Sequence, residues 1–150
     1  MNTTGNSLNI IAPGPLFNKV CLLDHKEFPK PWSLKDWRQL NWQHHFLFVQ
    51  QFEQVLIGFV LLSLVEGDDT AHLLKICFAS KARGNGHAQT LWDFSLKEMK
   101  KKNTKSVYLE VEVKNLAAIK FYQKVGFSSL RKISGFYSDG GDALSMQLTI

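Results

Sequence analysis

The apolar run Leu73-Leu74-Lys75-Ile76-Cys77-Phe78-Ala79 stops just before Arg83-Gly84-Asn85-Gly86-His87-Ala88, and from Gly84 to Lys102 the pattern is helical. This succession constrains the chain more than any other feature. A strand that turns through glycines into a helix leaves the first helical N–H groups unpaired at the turn. Glycine lets the backbone approach an anion, and the helix dipole adds about half a positive charge there. The stretch reads as a phosphate-binding turn, although glycine also serves many strand-to-helix turns for steric reasons alone. Beyond the helix, Ser106 to Val113 alternates, with Val107, Leu109, Val111 and Val113 on one face and Tyr108, Glu110 and Glu112 on the other. A strand, a helix and a second strand in that order make a parallel crossover, which is right-handed in nearly every protein.

The remaining elements are short and closely spaced. Leu8–Ile11 reads as a strand closed by Pro13-Gly14-Pro15. Leu16 to Glu27 carries Leu16, Val20 and Leu23 at helical spacing. Phe28-Pro29-Lys30-Pro31-Trp32 is a rigid turn into Ser33, and Ser33 with Asp36 three residues on predicts a capped helix to about Leu40. His45–Phe52 and Val55–Val65 are strands joined at Glu53-Gln54, and Ala71–Ala79 follows the turn Glu66-Gly67-Asp68-Asp69. In the long helix, Ala88, Leu91, Trp92, Ser95 and Met99 share one face. Asn115 is placed to cap a helix that reaches Val125 and stops at Gly126, before strands around Phe127–Ile133 and Ala143–Thr149. The expected fold is α/β (α+β): a mixed, mostly antiparallel sheet flanked by helices, with the strand, glycine loop, helix and strand crossover at its centre. A doubly wound dinucleotide fold fits less well, because its glycine fingerprint comes near the start of a strand-helix series.

Composition removes several classes. The 150 residues, 45% hydrophobic and 21% charged, suit one globular domain spanning 1–150. No apolar run approaches the roughly 18 residues of a membrane span. Met1-Asn2-Thr3-Thr4-Gly5 lacks the basic and apolar blocks of a signal peptide. Cys21 and Cys77 stand far apart in apolar settings and read as reduced core residues, so a cytoplasmic protein is expected. His44 and His45 show no metal spacing, and no metal is expected. The net charge of +5 suits an anionic ligand or partner. Lys97, Lys100, Lys101, Lys102 and Lys105 read as a solvated helix end, with ribosomal RNA as the other possible neighbour.

These blocks resemble the GCN5-related N-acetyltransferase (GNAT) family. Arg83-Gly84-Asn85-Gly86-His87-Ala88 fits its Arg/Gln-x-x-Gly-x-Gly/Ala pyrophosphate loop. Leu109-Glu110-Val111, then Asn115 to Tyr122, then Gly126-Phe127, fit its second acetyl-CoA segment. Phe28 to Ser33, the Leu-Glu-Val-x-x-x-Asn spacing and the Gly135-Phe136-Tyr137 tail are similar to the RimI branch, which acetylates a ribosomal-protein N-terminus. The resemblance implies a GNAT fold, with acetyl-CoA as cosubstrate. The implied cofactor-binding residues are Ile76, Cys77 and Phe78, then Arg83, Gly84, Asn85, Gly86, His87, Ala88 and Gln89, and Asn115. It also implies that the main chain at Ile76–Phe78 pairs with the pantetheine arm and offers an N–H to the thioester oxygen. The loop is less basic than in many relatives, so no residue is assigned to the 3′-phosphate, and Glu112 stands where RimI carries a basic residue.

The chemistry can be argued beside that resemblance. Acetyl transfer needs a neutral amine, a stabilised oxyanion and a proton for the departing thiolate. An α-amine titrates near about 7.7–8 and lysine near about 10.4, so an α-amine needs only modest help from a base. Glu110 is the expected base, direct or through water, with Glu112 on the same face to raise its pKa. Alone, both glutamates read as surface residues. Tyr122, on an apolar helix stripe with Ala118, Ile119 and Val125, is by resemblance the proton donor to the thiolate. Cys77 has no partner spacing for a nucleophile, so direct attack by the amine is expected. Trp32 and Tyr137 would wall a slot for a chain terminus. The expected partner is a protein N-terminus, by resemblance the alanine of small-subunit ribosomal protein eighteen. A small-molecule amine or lysine acceptor remains an alternative, as does a basic RNA-binding domain.

Overall fold

A computed structural model of the chain describes residues 6–11 and 14–150. Met1–Gly5, and Pro13 of the predicted Pro13–Pro15 turn, lie outside the described residues. Seven strands form one sheet: β1 (Asn6–Ile11), β2 (His45–Phe52), β3 (Val55–Ser63), β4 (Thr70–Phe78), β5 (Ser106–Glu112), β6 (Ser128–Ile133) and β7 (Ala143–Thr149). Among the described residues four helices accompany them: α1 (Pro15–Glu27), α2 (Leu34–Arg38), α3 (His87–Lys100) and α4 (Leu116–Lys124), with a 3₁₀ turn at Ser80–Ala82. The spatial order is β1-β2-β3-β4-β5-β7-β6. Among the described residues only the β4–β5 pair, joined through α3, is parallel; the other neighbours are antiparallel. Among the described residues, no helix is long and apolar enough to cross a membrane.

Burial on both faces explains the sequence pattern. In β2 and β3, Leu47–Gln50 and Gly58–Leu62 are buried without interruption, as strands covered on both sides should be. Leu91, Trp92 and Met99 of α3 and Tyr122 of α4 pack with Phe48, Val60, Leu62 and Leu109 on one face. On the other face, Val20 and Cys21 of α1 and Trp37 of α2 pack with Leu47, Phe59, Leu61 and Cys77. Both cysteines are free and buried. The Glu53-Gln54 turn takes positive φ at both residues (50° and 68°), the twist a two-residue hairpin needs, here without glycine. Gly58 is required by contact: a Cβ there would lie 2.3 Å from the Phe78 ring.

The departure that matters for chemistry lies between β4 and β5. They pair only at Thr70↔Ser106, Ala71↔Val107 and His72↔Tyr108. Past those positions β4 runs to Phe78 and β5 to Glu112 without joining, so the sheet splits. The β3–β4 register shifts just past that point, pairing Leu62 with Leu73 but Leu61 with Lys75. Such an irregularity bends a strand and strengthens its twist. α2 is five residues long and ends at Arg38, short of the predicted Leu40.

Candidate active site

The split has two walls and an opening. On the β4 side, the edge of Leu73–Phe78 that faces β5 has no strand partner. Unpaired main-chain groups beside a cleft are hydrogen-bonding capacity for an extended ligand. Directly after β4, Gly84 and Gly86 take φ of +82° and +78°, and a Cβ at either would meet nothing within 4 Å. The chain here lies open to an approaching group. Gly86 is the left-handed N-cap of α3 and brings no side-chain cap. The first N–H groups of α3, from His87, Ala88 and Gln89, therefore open onto the loop without a capping side chain, an arrangement suited to an anion.

Two residues of that loop are tied inward. The Arg83 guanidinium donates to Phe78 O through Nε (3.2 Å) and Nη2 (3.0 Å), and Nη2 also meets Glu27 Oε1 at 3.3 Å. Its side chain braces the end of β4 against α1. His87 contacts the buried Gln50 through Nδ1 at 3.2 Å.

The β5 side supplies titratable groups. Glu110 projects away from the α3–α4 core, and its Oε1 lies 2.7 Å from His72 Nε2. A carboxylate only accepts, so the ring nitrogen carries the hydrogen. Tyr108 packs on the His72 ring at 5.4 Å, and burial together with Glu110 raises its phenol pKa. Glu112 does not act on Glu110 as an unbalanced like charge, because Lys30 Nζ lies 3.0 Å from it. Lys30 also bonds Asp139 and sits 5.0 Å from the centre of the Tyr137 ring. The Phe28–Ser33 turn and the Tyr137 loop are thus clasped across the end of β5. A cavity of about 310 Å³ adjoins this clasp, lined by Glu112, Asp139 and Asp142 among others.

Tyr122 comes from the opposite face. It is buried in the α3–α4 core against Phe121 and Phe127. Burial raises its pKa, and the Tyr137 phenol adds to the rise. The phenol therefore keeps its proton well into alkaline conditions. Tyr137 itself is raised by burial, then by Glu112 and Glu110. Asn115 caps α4, its Oδ1 accepting from Ala118 N at 3.2 Å, which leaves its amide NH₂ for another partner. Cys77 is 5% exposed and its thiol is pushed up to about 12, first by burial and then by Asp24. A thiol so rarely ionised is a poor nucleophile.

Sequence reasoning missed His72, Asp139, Asp24 and Lys75, and gave Lys30 no role. His72 and Asp139 meet their partners only through strand pairing and loop docking. Asp24 and Lys75 left a trace, a charge inside an apolar stripe. The larger cavity, about 460 Å³ and lined by His44, Leu64, Val65 and Lys102 among others, lies at the paired end of β4 and β5. Two cations of the lysine group are already engaged: Lys101 with Glu98 at 2.9 Å, and Lys102 at 4.5 Å from the Phe46 ring centre.

Residues 17–127 match the sequence profile of the Acetyltransferase (GNAT) family. Over 128 residues the chain is 30% identical to N-alpha-acetyltransferase 30 of Schizosaccharomyces pombe, covering 83% of this chain and 85% of that protein. It is 40% identical over 76 residues to N-alpha-acetyltransferase of Saccharolobus solfataricus, covering 50% of this chain and 46%, less than half, of that relative. The ribosomal-protein-S18-alanine N-acetyltransferase from Escherichia coli superposes with a TM-score of 0.84 at 23% identity, over 96% of this chain and 94% of that one. At that identity the likeness is one of fold.

Proposed function

The chain belongs to the Acetyltransferase (GNAT) family, and from that premise we propose that it moves an acetyl group from acetyl-CoA to the α-amine of a protein N-terminus. The observation that carries the reading is the split between β4 and β5, with Glu110 and His72 on one face and Tyr122 on the other. The residues fit the cosubstrate. The Gly84–Gly86 turn and the open start of α3 suit its pyrophosphate, and the free edge of β4 at Ile76–Phe78 suits its extended arm. Asn115 is the further contact in this reading. When bound, acetyl-CoA supplies the activated acyl carbonyl.

The side chains then divide the proton traffic. Glu110 draws a proton from the acceptor's ammonium, directly or through one water, and His72 orients the carboxylate. The neutral amine attacks the carbonyl, with a main-chain N–H of Ile76–Phe78 facing the developing oxyanion. Tyr122 holds the proton needed by the leaving thiolate. Trp32 and Tyr137 wall the acceptor slot, and the Lys30 clasp closes its outer side.

An α-amine acceptor is favoured over lysine because it is already partly neutral near pH 7, and a carboxylate–imidazole pair is a mild base. The two curated relatives are named as N-alpha-acetyltransferases, which supports the same acceptor class. A narrower acceptor, the N-terminal alanine of small-subunit ribosomal protein eighteen, is supported by the likeness to the E. coli enzyme and by the RimI-like turn. The test is acetylation of a panel of peptides with different first residues, with the acetyl group located by mass spectrometry. Acetyl on alanine-initiated peptides at the α-amine supports the narrow reading. Preference for another first residue keeps the class and removes the alanine. Equal rates on lysine side chains or free polyamines sink the α-amine assignment.

A further inference from the structure

We infer that the buried Asp24 carboxylate is a positioning residue for the acceptor, holding the Phe28–Ser33 turn and α2 at a set height against β4. The inference rests on the reading of that turn as an acceptor wall. Asp24 is 0% exposed, near the C-terminal end of α1. Its Oδ2 accepts from Trp32 N at 2.9 Å and from Trp37 Nε1 at 3.1 Å. Its Oδ1 accepts from Lys75 Nζ at 2.9 Å. One carboxylate thus joins α1, the turn, α2 and β4. Lys75 is 2% exposed, and its ammonium lies 3.9 Å from the Phe28 ring centre, 4.8 Å from that of Trp32 and 6.0 Å from that of Trp37.

Stability alone does not explain this arrangement. Taking two charges out of water costs about what their attraction returns, and apolar pairs of similar volume often replace buried ion pairs without loss. An apolar pair cannot, however, accept two directed hydrogen bonds. The Trp32 amide lies between Pro31 and Ser33, in a turn whose first half is stiffened by Pro29 and Pro31. Fixing that amide fixes the turn as a body, and with it Lys30, which clasps Glu112 and Asp139. Lys75 stands next to Ile76 in the strand whose free edge is the proposed seat of the thioester. The Asp24 contacts therefore set the distance between acceptor wall and acyl donor. Errors of about 1 Å in such distances cost large factors in rate. Lys75 Nζ, 2.9 Å from Oδ1, balances the carboxylate's charge, and the rings of Phe28, Trp32 and Trp37 shelter the ammonium by cation–π attraction.

Two double variants separate positioning from packing. Asp24→Asn/Lys75→Met removes both charges but keeps an oxygen that accepts from Trp32 N and Trp37 Nε1. Asp24→Leu/Lys75→Met removes both charges and the acceptor. Thermal melts establish that each is folded. We expect KM for an N-terminal peptide to stay within about twofold of wild type in the first and to rise about tenfold or more in the second. KM for acetyl-CoA should change little in either. Amide hydrogen exchange at Trp32 should be slow in wild type and the first variant and fast in the second. A wild-type peptide KM in the Leu/Met variant overturns the inference, as does an equal rise in KM for both substrates. If the Leu/Met variant does not fold, Trp37→Phe removes one of the two bonds, and an unchanged peptide KM there overturns it as well. Failure of the acceptor reading looks different: wild type acetylates no peptide while the exchange pattern persists.

Discussion

Glu110 and Tyr122 stand on opposite faces of the sheet, and their environments suit opposite errands. Glu110 is half-buried, hydrogen-bonded to His72 and open toward the clasped loops, where an ammonium would arrive. Tyr122 is enclosed and holds its proton. Glu110→Gln should lower kcat/KM most at acid pH, about 10²-fold or more, and recover partly as pH passes the α-amine range near about 8. A pH–rate profile checks this; equal losses at every pH mean Glu110 is no base. Tyr122→Phe should lower kcat about 10²-fold or more and leave acetyl-CoA affinity unchanged by calorimetry. Equal rates reduce Tyr122 to packing. Cys77 gives a prediction of stability. Its folded pKa is raised, so below about pH 9 its contribution is fully present, and it is lost as pH rises toward 12 because only the unfolded thiol ionises. At pH 10.5 that loss is about 2 kcal/mol. Urea unfolding of wild type and Cys77→Ala at pH 8 and pH 10.5 should show the wild-type advantage shrinking; a constant difference contradicts it.

Among the elements, the turn into α3 carries the sharpest test. Gly86 needs a left-handed conformation but has open space around its missing side chain. Valine there would add backbone strain to any effect on ligand, mixing two causes. Asn accepts left-handed φ, so Gly86→Asn should keep the melting temperature and still put a side chain where an anion would approach. The expected result is acetyl-CoA affinity weakened about tenfold or more, against no change in Gly67→Asn, a positive-φ glycine in the β3–β4 turn. Calorimetric titration of both decides whether the loop belongs to the site. The elements themselves were largely legible. β2 and β7 match their predicted bounds, and the Ser33–Asp36 capping box is formed in both directions. Local pattern and cap chemistry suffice for such segments. Helix ends were read less well: α3 begins at His87, three residues after the predicted Gly84, because Gly84 and Gly86 both adopt positive φ and the helix cannot start between them.

At the scale of the molecule, ligand should be felt at one end of the sheet. Acetyl-CoA is expected to slow amide exchange in Ile76–Gln89 and around Asn115, and to leave the region lined by His44, Leu64 and Lys102 unchanged. Protection at that remote cavity instead would move the binding site. The amino-acid order was enough for the fold class, the central crossover, the glycine turn, the capped helices and the identity of Glu110 and Tyr122 as candidates. The structural features among these rest on near neighbours, since alternation, helical spacing, caps and turn glycines act within a few residues, whereas Glu110 and Tyr122 were singled out by the family resemblance of their segment. The split of β4 from β5, the pairing of His72 with Glu110, the Lys30 clasp and the Asp24–Lys75 hub were not legible. They join residues 38 to 109 positions apart. Such contacts depend on where one strand stops pairing with another and how far a turn reaches over a sheet. Those quantities exist only once long-range packing has set the register, because no local pattern encodes the distance between two segments distant in the chain.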